Sequence, residues 1–245
     1  MPYKKIVSLV PSLTELLFDL GLGDSVKGRT RFCVHPKEEV ESVPIIGGTK
    51  NPRIDKIRAI EPDLVIANKE ENREEDVEEL REFTEVIVTE ISNINEALFA
   101  IHDIGWMCGV QENAKQLITD IQKEMENVPD EPILSAAYFI WRKPWMSVGH
   151  DTYIHSVLSH WNLENVYADK VRYPNTSLQE LSLKKPQIIL LSSEPYPFKE
   201  KHIKEVKQFI SGSSVVLVNG EWFSWYGSRM LKAFRRLNVL RRAIG

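Results

Sequence analysis

The stretch Ile60-Glu61-Pro62-Asp63-Leu64-Val65-Ile66-Ala67-Asn68-Lys69-Glu70 returns later in the chain as Lys184-Lys185-Pro186-Gln187-Ile188-Ile189-Leu190-Leu191-Ser192-Ser193-Glu194. Each copy sets a proline after a helical segment, then four apolar residues, a polar turn and a glutamate. A short apolar run between such breakers reads as a buried parallel strand. Open α/β sheets place ligands at the turns following the carboxyl ends of these strands. Two copies therefore predict two similar α/β lobes with small, mostly parallel sheets, each offering one such turn to a shared cleft.

Working outward, the amino-terminal half alternates strand and helix. A strand at 6–10 precedes Pro11-Ser12-Leu13-Thr14-Glu15, where Ser12 and Glu15 have capping-box spacing. Leu13, Leu16, Leu17 and Leu20 give that helix its apolar face, and Gly21 and Gly23 end it. Strands near 26–29, 45–48, 63–67 and 86–88 and helices at 53–60 and 73–83 follow. Residues 93–128 read as helix with a break near Gly109. Beyond the break, Ala114, Leu117, Ile118, Ile121 and Met125 share one face. The carboxy-terminal half repeats the alternation, with strands at 135–140, 187–191 and 214–218 and helices at 151–160, 199–210 and 227–242. The expected division is an N-terminal lobe over 1–110, a single long backbone helix over 111–128 and a C-terminal lobe over 129–245.

Composition narrows the classes of function. A net charge of −4 lacks the excess of clustered Lys and Arg that nucleic-acid binding needs. No segment approaches the roughly 20 apolar residues that span a bilayer. The two cysteines, Cys33 and Cys108, form no metal-type pair, and read as two lone thiols or one long-range disulfide. Met1-Pro2-Tyr3-Lys4-Lys5 runs directly into the first strand without a secretory leader. The expectation is accordingly double: periplasmic if a signal peptide was trimmed, cytoplasmic if Met1 is the native start.

Enzyme signatures are missing. Gly21-Leu22-Gly23 has no third glycine at dinucleotide spacing, no Walker lysine follows a glycine-rich loop, and neither GxSxG nor HExxH occurs. Cys33-Val34-His35 offers two donors where zinc usually takes three or four. The sequence thus reads as a binding protein, not an enzyme, with no intrinsic cofactor and no metal site. Aromatic residues, by contrast, gather after strands: Phe32, Trp141 and Trp145, then Trp222, Phe223, Trp225 and Tyr226. Such rings either pack between lobes or grip a flat, bulky ligand. The acidic run 69–76 reads as a solvated helix start or a docking surface for a basic partner.

The order Val7-Ser8-Leu9-Val10-Pro11-Ser12-Leu13-Thr14-Glu15, Phe32-Cys33-Val34-His35-Pro36, Ile46-Gly47-Gly48, Pro62-Asp63-Leu64-Val65-Ile66, Met146-Ser147-Val148-Gly149 and Gly220-Glu221-Trp222-Phe223 resembles the class III (helical-backbone) substrate-binding proteins of ABC importers. Within them it is most similar to the vitamin B12-binding branch, over nearly the whole chain. The resemblance implies a monomer that holds a metal chelate (a corrinoid, a haem or a ferric siderophore) and delivers it to an ABC permease dimer. The alternative is a cytoplasmic chelate-binding or sensing protein. The expected ligand-binding set is Phe32, Cys33, His35, Gly48, Asn68, Trp141, Trp145, Trp222, Phe223 and Tyr226. Asn68 stands where the cobalamin binders have a tryptophan, which removes stacking area. By resemblance, Glu74 is the permease-docking acid of lobe one, with Glu194 and Glu200 both candidates in lobe two.

Overall fold

In the computed structural model, which describes residues 2–244, both copies of the repeated stretch adopt one design. A helix ends on a left-handed residue (Glu61, φ 51°; Lys185, φ 46°), a proline follows, and a five-residue strand runs wholly buried. Proline cannot continue a helix and the left-handed residue turns the chain away, so the strand starts at a fixed point.

The chain forms two units. The first takes the chain through Ile91, Asn95–Ile121 and Tyr226–Met230; the second takes Ser92–Ile94, Gln122–Trp225 and the chain from Leu231. This grouping departs from simple boundaries at 110 and 128, because two short segments belong to the unit remote in sequence.

The first unit contains β1 (Ile6–Ser8), α1 (Pro11–Asp19), β2 (Val26–Arg29), α2 (Lys37–Glu41), α3 (Ile54–Ile60), β3 (Leu64–Asn68), α4 (Glu74–Arg81) and β4 (Glu85–Thr89). Most of α5 (Ile94–Met107) and of α6 (Gln111–Glu126) also belongs to it. Its four strands run parallel in the order β2-β1-β3-β4. Val7, Leu9, Ile46, Ile57, Val65, Ala67 and Leu80 form a core that covers the sheet. Gly109, at φ 70°, separates α5 from α6, and α6 then runs unbroken through the boundary at Ile121. The capping box is corrected: Pro11 occupies the first turn and Val10 is the N-cap, which leaves Ser12 and Glu15 buried inside the helix.

The second unit adds β5 (Leu134–Phe139), β6 (Trp145–Met146), α7 (Tyr153–His160), β7 (Leu163–Asn165), β8 (Asn175–Thr176), α8 (Leu178–Lys184), β9 (Ile188–Ser192), α9 (Glu200–Phe209), β10 (Ser214–Val218), α10 (Glu221–Ser224) and α11 (Arg229–Ile244), whose first two residues belong to the first unit. Its parallel sheet, β7-β5-β9-β10, repeats the first in order, with β5 standing for β1 and β9 for β3. Phe139, Tyr167, Leu181, Ile189, Leu191 and Val206 fill its core. α11 is tied down by side chains: Trp161 Nε1–H donates to Asn238 Oδ1 at 2.8 Å, and Arg241 Nε–H to the Trp161 carbonyl at 2.9 Å. Among the described residues no helix is long and apolar enough to cross a membrane.

Candidate functional site

Parallel strands bring their following loops to one edge of each sheet. In the first unit the loop after β2 is built around Arg29, whose buried guanidinium donates to the carbonyls of Val40 (2.7 Å), Cys33 (3.1 Å) and Thr30 (3.4 Å). The Thr30 hydroxyl accepts from the Phe32 amide and touches Cys33 Sγ at 3.2 Å, while Thr14 Oγ1–H donates to the same sulfur at 3.0 Å. With every inward polar group engaged, the turn shows its two outward side chains, Arg31 and Phe32, to solvent. Phe32 is 50% exposed and carries the Arg31 guanidinium 5.1 Å from its ring centre.

Two of the expected ligand contacts of this unit, Cys33 and Asn68, are buried. Cys33 is 0% exposed, and burial raises its thiol pKa, so it serves as a core group of the turn. Asn68 is also buried and fully committed: its Nδ2 donates to Thr89 O and Oγ1 at 3.0 Å, and its Oδ1 accepts from the amides of Glu70 and Glu71. It organises the turn after β3 and leaves no atom for a ligand. His35 is half-buried near Glu15, whose carboxyl pKa is raised by burial against the opposing pull of Arg229, 2.8 Å away. Gly48 is buried, and a Cβ there would collide with Asn51 Oδ1 and sit 3.2 Å from Arg31 Nη2, so its bare backbone leaves room for the Asn51 side chain and lies next to that guanidinium.

In the second unit the loop after β5 turns through Trp141 to the two-stranded β6–β8 ribbon, which two-residue strands hid from periodicity. Trp141 is 39% exposed and meets Tyr196 edge-on at 5.6 Å. Trp145 is half-buried, stacked on Phe198 at 5.6 Å and edge-on to Phe139 at 5.1 Å. Tyr196, half-buried, and Phe198, a core residue, come from the loop after β9 and pack beneath these rings; the sequence reading did not single them out, although they follow a strand as the others do. His202 braces them. Its Nδ1 accepts from the Lys199 amide at 2.8 Å, which places the ring proton on Nε2, 3.2 Å from the Tyr196 hydroxyl. Burial, then neighbouring Lys201, lowers its pKa. Arg142 and Glu205 close the cluster with two bonds of 2.8 Å.

The expected aromatic loop 221–226 contains the short helix α10. Trp222 is half-buried, but Phe223, 1% exposed, packs 4.9 Å from Tyr138 in the core, and Tyr226 is buried too. Both expected ligand contacts are thus buried residues here. Glu74 and Glu200 are exposed and open α4 and α9, the helices that follow the two repeated strands. Glu194 is half-buried, and its Oε1 accepts from the Ser224 hydroxyl at 2.8 Å. A concavity of about 540 Å³ lined by Phe18, Asp24, Lys27, Glu39 and Val43 lies at the amino end of β2, away from these loops. Among the described residues no group of three or more His, Cys, Asp or Glu side chains could hold a metal ion.

Two parallel α/β units of the same strand order, with aromatic residues exposed at strand ends, define a ligand-binding protein of duplicated architecture. The chain belongs to the periplasmic binding protein family, whose sequence model matches residues 6–216. It is 22% identical to a vitamin B12-binding protein of Pectobacterium carotovorum, over 96% of this chain and 87% of that protein. The periplasmic vitamin B12 binding protein BtuF of Vibrio cholerae superposes with a TM-score of 0.85 at 21% identity, covering 99% of this chain and 98% of the other. The periplasmic heme-binding protein RhuT of Roseiflexus sp. RS-1 gives 0.82 at 18% identity, with 98% of each chain covered. At such identities the solved structures establish a common fold.

Proposed function

We propose that this protein captures a metal chelate, corrinoid, haem or ferric siderophore, and presents it to the permease of an ABC importer. The family match over residues 6–216 carries the reading, since its relatives include binders of vitamin B12 and of heme. Phe32, Trp141, Trp145 and Trp222 would supply the rings that contact the ligand; all four retain exposed surface at strand ends. A large delocalised chelate needs such flat, rigid area, which side chains with few rotatable bonds provide at small entropic cost. Export to the periplasm belongs to this proposal, as does docking through exposed acids.

Calorimetry with visible absorption, against cyanocobalamin, cobinamide, haemin and a ferric hydroxamate siderophore, tests the reading. Saturable binding of one chelate, weakened roughly tenfold or more by Phe32→Ala with an unchanged melting temperature, is the expected result. Absence of binding to all four sinks it.

A further inference from the structure

Arg31 stands out among the strand-end residues. Its guanidinium lies against the Phe32 ring at 5.1 Å and over the bare backbone of Gly48, where a Cβ would come within 3.2 Å of Nη2 and 3.5 Å of Nε. The side chain is exposed, and no carboxylate pairs with it among the described residues. The contrast with nearby arginines is chemical. Arg29 spends its donors on buried carbonyls, Arg142 holds Glu205 in a two-bonded pair, and Arg229 faces Glu15. Arg31 has none of these uses.

Nor does the loop leave Arg31 free to wander. Arg29 clamps the carbonyls on either side of it, the Arg31 amide donates to Gly47 O at 2.9 Å, and the Thr30 hydroxyl fixes the Phe32 amide. A planar cation resting on an aromatic face, exposed to solvent and carried on a fixed backbone, is prepared for a planar anion. Little backbone freedom remains to be lost when that anion arrives.

We infer that the ligand carries a peripheral carboxylate, which Arg31 receives in two parallel hydrogen bonds while Phe32 contacts the adjoining flat face. This rests on the chelate-binding reading and narrows it, away from corrinoids fringed with carboxamides and toward carboxylate-bearing porphyrins or ferric carboxylate complexes.

The test compares wild type with Arg31→Gln and Arg31→Lys by calorimetry against haemin, haemin dimethyl ester, ferric dicitrate and cyanocobalamin. The expected result is wild-type binding to haemin or to ferric dicitrate, and which of the two binds identifies the source of the carboxylate. Arg31→Gln then weakens that binding roughly tenfold or more, the worth of a charge-assisted bond. Arg31→Lys restores only part of it, and haemin dimethyl ester shows no difference between wild type and variant. Equal affinity of wild type and Arg31→Gln for a carboxylate chelate overturns the inference, as does preference for cyanocobalamin or for the ester. Binding of cyanocobalamin alone would refute this inference yet uphold the broader reading; binding of none of these, nor of cobinamide or a ferric hydroxamate, would remove both. Thermal melts of the variants, expected to match wild type because the side chain is exposed, separate lost recognition from lost folding.

Discussion

Glu71 shows how one residue of a strand-end turn carries an energetic cost. Its amide caps the Asn68 side chain, and its own carboxyl suffers burial, which raises its pKa against the favourable field of Lys50. A raised folded-state pKa means that the group's contribution to stability is complete below the ordinary value of 4.5 and is lost as pH rises through the folded value. Glu71→Gln should therefore melt above wild type at pH 7, with the gap closing toward pH 4. Thermal melts across that range check it, and a pH-independent gap would show that the carboxyl's ionisation is irrelevant. At this scale the sequence was only partly legible. Phe32 and Trp141 were readable as large rings after strands. The inward turn of Cys33 and the full commitment of Asn68 depend on partners such as Thr14 and Thr89, distant in sequence. Arg31 was invisible for the same reason, since a lone arginine has no pattern until Gly48 is folded beneath it.

Among the elements, the duplicated helix–proline–strand unit was the most legible because its signals are local: a breaker, four apolar residues, a turn. Even the helix endings correspond, with Gly21 (φ 83°) after α1 and Asn162 (φ 55°) after α7 both left-handed. The residue before each proline is also left-handed, and neither Glu61 nor Lys185 is the glycine that such a position favours. Lys185 is exposed, so Lys185→Gly relieves the Cβ strain with no packing lost. The net gain should be about 0.5–1 kcal/mol after the larger unfolded-state entropy of glycine is subtracted. Urea denaturation at constant slope measures it; a loss of stability would mean that Lys185 makes a contact beyond its backbone conformation. The β6–β8 ribbon escaped the sequence reading because alternation cannot show in two residues. The capping box misled because Pro11 claims the first turn ahead of Ser12.

For the whole molecule, equivalence of the units favours one of the two candidate docking acids of the second. Glu200 opens α9 after β9 just as Glu74 opens α4 after β3, whereas Glu194 is bound to Ser224. If the protein serves a permease, Glu74→Arg and Glu200→Arg should each slow association in a salt-sensitive way and leave chelate affinity intact, because exposed acids act mainly on orientation and on-rate. Surface plasmon resonance on reconstituted permease at two salt concentrations reads this, and a silent double reversal would rule out docking through these residues. The segment Tyr226–Met230 has a different consequence, for dissection of the molecule. It completes the first unit from far along the chain, with Gly227 close to Ser12 O and Leu16 and with Arg229 on Glu15. A gene cut after α6 would encode an amino-terminal half whose Glu15 lacks its cation, so that half is expected to be less stable than the same unit in the whole chain. Split expression of this protein should therefore supply residues 226–230 together with the first half.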